Sequence, residues 1–236
     1  MSSKMSSQAS RPAEERAGID AGSFRDWLNG TRAVLRGSGA VEVPCGDCVG
    51  CCTSSYFVHV RPEDAAARAV IPARLLVKAP GQPDGHFVIG FSNDGSCPML
   101  NERRCSIYPQ RPRTCRDYDC RIFAAAGIDA GGRDKAVINE RVRAWTFTYD
   151  DDADRLTHTA VRTAAAFIRE HAASFPDRRV PSAPSDIAVL ALKAYTVFLD
   201  LDDADTSEEK IAAAIVDACR RFDAASLIRS RHDAMP

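Results

Sequence analysis

Four cysteines fall within residues 45 to 52, CGDCVGCC, and the last two are adjacent. Thiols at this density oxidise or cross-link unless disulfide partners or a metal ion occupy them. Two residues between cysteines allow one short turn to direct both sulfur atoms at a common centre, and this spacing occurs twice in overlapping frames. The surrounding glycine, proline and aspartate residues favour an irregular loop here over a helix or a strand. The sequence therefore predicts a loop that is organised by its own thiols.

The remaining cysteines extend this cluster. Of the nine in the chain, only Cys219 stands apart, and we interpret it as a small buried hydrophobic residue on the last helix. The other eight are Cys45, Cys48, Cys51, Cys52, Cys97, Cys105, Cys115 and Cys120. Their number matches two sites with four sulfur ligands each. Because adjacent side chains usually diverge, Cys52 is expected to face a second centre or to stay outside the first.

The chemistry of the thiols favours metal binding over disulfides. The start of the chain is polar, carries both charge signs and contains no apolar signal-peptide core, so we expect a disordered tail at residues 1–20 and a cytoplasmic protein. Thiols in the cytoplasm are kept reduced. An all-sulfur shell selects zinc or iron over magnesium and calcium, and a 4Fe-4S cluster is one form that the iron can take. We therefore expect zinc or iron as the cofactor.

Charge and hydropathy predict neither a nucleic-acid partner nor a membrane partner. The 31 basic and 32 acidic residues leave a net charge of -1, which provides no general attraction to nucleic acid or anionic lipid. No uninterrupted run of apolar residues is long enough to predict a membrane span. The expected partner is a metal ion, and no pattern identifies a protein partner.

Two arginines are the expected neighbours of the bound metal. A dication held by four thiolates keeps about two net negative charges, which basic side chains can balance in a partly buried site. Arg113 and Arg116 flank Cys115 and are therefore predicted to interact with the metal and its thiolates. His59 and His86 lie in predicted strands, where packed or surface histidines are more common than ligands, so we leave them out of the ligand set.

The pattern of elements predicts an α+β protein. We expect a helix from SFRDWLNGTRAVLRG with Ser23 as its N-cap, strands from YFVHV and HFVIGF, and a turn at NDG (93–95) that leads to Cys97. One helix is expected from Arg113 to Gly127. The segment VINERVRAWTFTYD has helical spacing in its first half and strand-like alternation in its second.

Beyond residue 150, three segments with helical spacing predict an all-helical region. We therefore divide the chain into three parts. They are the tail at 1–20, a small irregular cysteine-rich metal-binding domain with a few short strands and helices at 21–150, and a helical C-terminal region at 151–236.

The cysteine pattern resembles a known family. CGDCVGCC, followed by FVHVRPED and then GSCPMLNERRCSIYPQRPRTCRDYDC, is similar to the YkgJ-type cysteine-cluster proteins, whose zinc- or iron-chelating domain has a CxxCxxCC signature. The resemblance covers about residues 41 to 123 and implies that all eight clustered cysteines chelate the metal. Met99 stands where an aromatic residue is common, a difference expected to affect packing only.

Two other functions are open at this stage. Some members of the family are named flagellin lysine N-methylases, so a protein-modifying enzyme is one alternative. The chain lacks a strand followed by a G-x-G-x-x-G loop and a helix, the usual site for a nucleoside-containing methyl donor. The adjacent Cys51 and Cys52 suggest the other alternative, a thiol redox switch. No Walker loop, HExxH motif or nucleophile triad is present, so no catalytic residue is predicted.

Overall fold

Helices dominate the structure, and its strands are short. The computed structural model describes residues 18–38, 43–44, 46–199 and 206–232. Within these residues the chain is α+β, as the sequence predicted, with helices in both halves and a few strands in small sheets. The predicted tail lies largely outside the described residues. No described helix combines the length and the apolar composition needed to cross a membrane.

The helices follow most of the predicted segments. Their bounds are α1 (Phe24–Leu35), α2 (Ala65–Val70), α3 (Arg113–Asp117), α4 (Arg121–Ala126), α5 (Ala136–Ala144), α6 (Asp152–Glu170), α7 (Pro184–Ala194) and α8 (Glu208–His232). The helices predicted beyond residue 150 are therefore confirmed. At the start of α1, the hydroxyl of Ser23 accepts the N–H of Asp26 at 3.4 Å, which confirms the predicted N-cap.

The strands of the described residues form three separate sheets. The first pairs β1 (Ile19–Ser23) with β7 (Trp145–Thr148), the second has the order β2 (Val58–Val60), β4 (Phe87–Ile89), β3 (Val77–Lys78), and the third is the hairpin of β5 (Leu100–Asn101) and β6 (Arg104–Cys105). Strands β2 and β4 are those predicted from YFVHV and HFVIGF. Helix α5 and strand β7 are the two halves of VINERVRAWTFTYD.

Strands β1 and β7 pair in parallel and join distant parts of the chain. Ile19 is opposite Trp145, and Ser23 is opposite Thr148. In β7, Trp145 and Phe147 are buried whereas the two threonines are exposed, the alternation that a strand with one buried face requires. This pairing sets α1, which begins directly after β1, against α6 and α7.

Two hydrophobic clusters stabilise the fold. The large cluster combines residues of α1 and of α4 to α8, including the fully buried Phe24, and it draws on both sides of residue 150. The small cluster is built on strands β2 and β4 around Val60 and Ile89. The partly buried Cys97 and Cys105 pack against the small cluster. The segments that carry these cysteines therefore have a core of their own.

The single helix predicted from Arg113 to Gly127 is wrong. The chain forms two short helices instead, and at Tyr118 it leaves helical geometry with ψ 114°. The reason is the side chain of Asp119, which accepts the backbone N–H of Arg121 at 2.9 Å and so competes with the helical hydrogen bonds. Gly127 ends α4 in the left-handed conformation, with φ +67°, as the sequence predicted.

Candidate metal centre

The first cysteine segment, residues 46–55, contains one turn of 3₁₀ helix (Gly50–Thr53) that carries Cys51 and Cys52. Its other residues are irregular, which confirms the predicted loop for the described part of the segment. The buried Ser54 closes the turn, because its hydroxyl donates to a backbone carbonyl of the turn at 2.5 Å. The thiols of Cys51 and Cys52 lie 4.0 Å apart. Cys45 lies outside the described residues.

The predicted turn at 93–95 brings Cys97 to this segment. Gly95 has φ +82°, a conformation that favours glycine. Its carbonyl accepts the N–H of Ser55 at 3.0 Å, and the N–H of Cys97 donates to the carbonyl of Cys52 at 2.7 Å. Two backbone hydrogen bonds therefore hold Cys97 against the first cysteine segment.

A tight hairpin adds Cys105. Leu100 in β5 is paired with Cys105 in β6, and the N–H of Leu100 donates to the carbonyl of Cys97 at 2.9 Å. The two turn residues between these strands, Glu102 and Arg103, have φ of +45° and +62°. Residues other than glycine rarely adopt such values, although this hairpin turn needs them. The hairpin is therefore locally strained at its two turn residues, and it brings Cys105 close to Cys97.

Cys115 joins the cluster from helix α3. The hydroxyl of Thr114 donates to the carbonyl of His59 in β2 at 2.8 Å. The backbone N–H of Arg113 donates to the buried carboxylate of Asp64 at 2.8 Å. These two bonds anchor the start of α3 to strand β2 and to the turn before α2.

The thiols of Cys51, Cys97, Cys105 and Cys115 interact electrostatically. Burial raises the pKa of Cys115 to about 12, and negative charge at the other three acts in the same direction. Burial also raises the pKa of Cys97, again with contributions from Cys105 and Cys51. The pKa of Cys51 is raised above all by its contact with Cys52. Ionisation of one thiol therefore disfavours ionisation of its neighbours.

This donor set fits a cation that prefers sulfur. A zinc or iron ion favours the ionised thiols that burial and mutual repulsion otherwise disfavour. Among the described residues, no three His, Cys, Asp or Glu side chains are already arranged to contact one ion. A cysteine sulfur moves between staggered positions by rotation about χ1. Binding of one ion by several of these thiols would therefore require changes of rotamer.

Two further predicted ligands, Cys48 and Cys120, accept hydrogen bonds from other groups of the protein. Cys120 is buried in the large cluster, and its sulfur accepts the indole N–H of Trp145 at 3.2 Å. The sulfur of Cys48 accepts the N–H of Gly50 at 3.4 Å, beside Ile138 of helix α5. Each of these two thiols already has a hydrogen-bond partner, and their role as ligands stays a prediction.

The two predicted arginines contact carboxylates. Arg113 pairs with a carboxylate of its own helix at 2.9 Å, and Arg116 lies 3.8 Å from the buried Asp64. A role of either arginine towards the metal stays a prediction. Arg111 belongs to the same arginine-rich segment but was not one of the two preferred arginines, and its charge lowers the pKa of Cys115 and opposes the effect of burial. It follows a Tyr-Pro-Gln turn, and no local pattern distinguishes it from the other arginines of this segment.

The sequence analysis missed two tyrosines beside the cysteines. The hydroxyl of Tyr118 donates to that of Tyr56 at 3.0 Å. Burial raises the pKa of Tyr118, followed by this contact and by negative charge at Cys120 and Cys51. The amino group of Lys135 lies 4.2 Å from the centre of the Tyr56 ring. The only sequence signal for this pair is that each tyrosine closely follows or precedes a cysteine.

Cysteines from separate stretches of chain are the usual ligands of structural zinc and of iron–sulfur clusters. Residues 44–138 match the family model CxxCxxCC, described as “Putative zinc- or iron-chelating domain”. This segment is therefore similar to the CxxCxxCC domain, which confirms the resemblance inferred from CGDCVGCC. The matched segment is less than half of the chain and ends in the first turn of α5. No curated protein and no solved structure matches the chain.

Proposed function

We propose that Cys51, Cys97, Cys105 and Cys115 together bind one zinc or iron ion. The observation that supports this is that backbone hydrogen bonds join the segments that carry Cys51, Cys97 and Cys105, within residues 44–138 that match the chelating family. The pKa of Cys115 is raised by negative charge at the other three thiols, which agrees with this arrangement. Four thiolates complete the shell of a structural zinc ion and equally that of a four-cysteine iron–sulfur cluster. Cys52 is expected to stay outside this shell, because adjacent side chains diverge.

Ligation at these four positions would cross-link the first cysteine segment, the β5–β6 hairpin and helix α3. These segments otherwise depend on the small hydrophobic cluster and on a few backbone hydrogen bonds. Bound zinc or iron would supply folding stability, and an iron–sulfur cluster would add electron transfer. Arg111 is the cation best placed to balance the charge that remains on the thiolates.

The remaining expectations follow from the same chemistry. The cysteines of the described residues are all free thiols, and we therefore propose a reducing compartment, the cytoplasm. A second site with Cys45, Cys48 and Cys120 stays a proposal from the sequence. Methyl transfer is an alternative that rests on the family resemblance, because the arrangement of the thiols itself supports metal binding and no further reaction.

Elemental analysis and an absorbance spectrum of protein purified without oxygen test the proposal. Wild-type protein is expected to contain zinc or iron in stoichiometric amount, and the Cys115→Ser variant is expected to lose it. Cys219→Ser is the matched control, because Cys219 is a buried thiol in the large cluster, away from the proposed site. A brown preparation indicates iron–sulfur, and a colourless one with stoichiometric zinc indicates a structural zinc site.

Cobalt substitution separates loss of a ligand from loss of folding. Thiolate-to-cobalt charge-transfer absorbance increases with the number of sulfur ligands, so Cys115→Ser is expected to bind cobalt with weaker absorbance per ion. Cys219→Ser should have the wild-type spectrum. Equal metal content and equal cobalt spectra in all three proteins would show that the ligand assignment is wrong.

A thiol redox switch is the second candidate, and the 4.0 Å contact of the exposed Cys51 with Cys52 favours it. In that reaction, hydrogen peroxide oxidises two thiols to a disulfide and is itself reduced to two molecules of water. Adjacent Cα atoms are only about 3.8 Å apart, shorter than most disulfides allow, so the bond would be strained. Mass spectrometry of peroxide-treated protein, searching for a bond within the peptide that contains Cys51 and Cys52, distinguishes this switch from metal binding.

A further inference from the structure

A cleft lined by positive charges lies among helices α1, α7 and α8, outside the segment that matches the metal-chelating family. Its volume is about 220 Å³. Arg32 and Arg36 of α1, Lys193 of α7 and Arg221 of α8 all line it. We propose that this cleft binds a compact, multiply charged phosphate-class anion.

The arginines of α1 are held in place by aromatic rings. Arg32 and Arg36 are one helical turn apart, and their guanidinium groups lie 4.8 Å and 4.2 Å from the centre of the same Phe222 ring. Arg32 also lies over the ring of Tyr195 and donates to the carbonyl of Leu192. Like charges at this spacing normally repel and destabilise a helix. An anion bound between the two guanidinium groups would therefore offset their repulsion.

Neighbouring acids balance only part of the positive charge of the cleft. Among the described residues, no carboxylate lies within ion-pair distance of Arg32, Arg36 or Arg221. Lys193 differs from these three arginines, because Asp223 binds it at 2.7 Å. Burial lowers the pKa of Arg32, and the charge of Arg36 adds to this effect. Tyr195 acts in the opposite direction, and the repulsion from Arg36 is the part that a bound anion would relieve.

The number of cations and the size of the cleft identify the class of ligand. Guanidinium groups bind phosphate and carboxylate oxygens through two parallel hydrogen bonds. A monocarboxylate would leave most of the positive charge unbalanced, whereas a phosphate or pyrophosphate group carries two or more negative charges. The volume of 220 Å³ is below the range of about 300–1,000 Å³ typical of pockets for drug-sized ligands. A compact anion therefore suits the cleft better than a large organic molecule.

Arg221 and Arg220 provide a matched pair of variants. They are neighbours on α8, but Arg221 lines the cleft whereas Arg220 has a side chain that is 77% exposed and lies 3.7 Å from Asp217. Removing one charge-assisted contact is expected to weaken binding by about tenfold. We therefore expect Arg221→Gln to reduce pyrophosphate affinity by about that factor, and Arg220→Gln to leave it within about twofold of wild type.

Isothermal titration of the full-length protein with pyrophosphate, inorganic phosphate and citrate at constant ionic strength measures these affinities. Pyrophosphate is expected to bind most tightly. Because all variants keep the cysteine site, any removal of metal by pyrophosphate affects them equally. A melting curve without ligand checks that each variant is folded, and Arg36→Gln replaces Arg221→Gln if the latter is not.

Two outcomes would overturn the proposal. Equal pyrophosphate affinity in Arg221→Gln, Arg36→Gln and Arg220→Gln would show that the cations of the cleft do not hold the anion. Citrate affinity equal to or greater than that of pyrophosphate would show that the class of ligand is wrong. Neither result bears on metal content, so this test is independent of the proposed function.

Discussion

Replacing Asp119 by alanine removes the centre of a buried polar network beside Cys120. The carboxylate accepts from the guanidinium of Arg121 at 2.8 to 3.0 Å and from the indole N–H of Trp27 at 2.8 Å. The side chains of Asp119 and Arg121 are 5% and 8% exposed. Alanine at this position leaves a buried guanidinium without its carboxylate and an indole N–H without its acceptor. Loss of one partner from a buried ion pair destabilises a protein by about 3–5 kcal/mol.

That amount is a large share of the stability of a typical domain, about 5–15 kcal/mol. Urea unfolding of wild type and Asp119→Ala, at equal metal content, measures the change in the free energy of unfolding. Asp129→Ala is the control, because Asp129 forms an exposed ion pair with Arg143 at 2.6 Å, with side chains 46% and 63% exposed. Exposed pairs contribute at most about 1 kcal/mol. The reasoning is refuted if Asp119→Ala is no more destabilising than Asp129→Ala.

A double variant, Asp119→Leu with Arg121→Met, tests the cause of the effect. When both charges are removed, no buried charge is left uncompensated, so the double variant is expected to be more stable than Asp119→Ala. A double variant more stable than Asp119→Ala would show that the loss of unfolding free energy in Asp119→Ala arises from the guanidinium that has lost its carboxylate. A double variant less stable than Asp119→Ala would assign the effect to lost packing or to the geometry of the helix break.

Two further predictions concern a turn and a buried histidine. A β-carbon on Gly95 would lie 2.6 Å from the Ser55 hydroxyl, so Gly95→Ala is expected to lower both the metal content and the urea midpoint. Gly37→Ala is the control, because Gly37 has a similar φ but no atom within 4 Å of the added β-carbon, and it should lower only the midpoint. Equal metal loss in both would contradict this. Burial lowers the pKa of His158 from 6.5 to about 4, so the stability contributed by its neutral form is complete above about pH 6.5 and is lost as the pH falls towards 4. Relative to His158→Gln, wild type should lose about 3 kcal/mol of unfolding free energy over this range, measured by urea titration at each pH, and a constant difference would be inconsistent with it.

Features that depend on neighbouring residues were predictable. The N-cap at Ser23, the left-handed end of α4 at Gly127 and the turn at 93–95 each follow from a side chain or a glycine within a few positions. The class of chemistry was predictable for a similar reason. Among the side chains that bind metals, cysteine is the one that is clustered in the first half of the sequence, and thiols select zinc or iron.

Features that depend on distant residues were not predictable. The local bond from Asp119 to the backbone of Arg121 interrupts the helix, and distant contacts stabilise this arrangement: Asp119 accepts from Trp27, which lies 92 positions earlier in the chain, and Arg121 donates to the carbonyl of Ala21. The same contacts place Cys120 against Trp145 in the large cluster. Nothing in the spacing of the cysteines indicates that Cys120 is buried in the large cluster whereas Cys115, only five positions away, is half-buried.

The sequence by itself determined the ligand chemistry, the helices with their caps and the turn that presents Cys97, because these follow from the atoms that one short stretch of chain can bring together. Only the tertiary structure decided which thiols become neighbours. The small hydrophobic cluster gathers the segments that carry Cys97 and Cys105, whereas the large cluster takes Cys120 into its interior. Burial of apolar surface is not directional, so the partner that each segment finds depends on the packing of the whole chain.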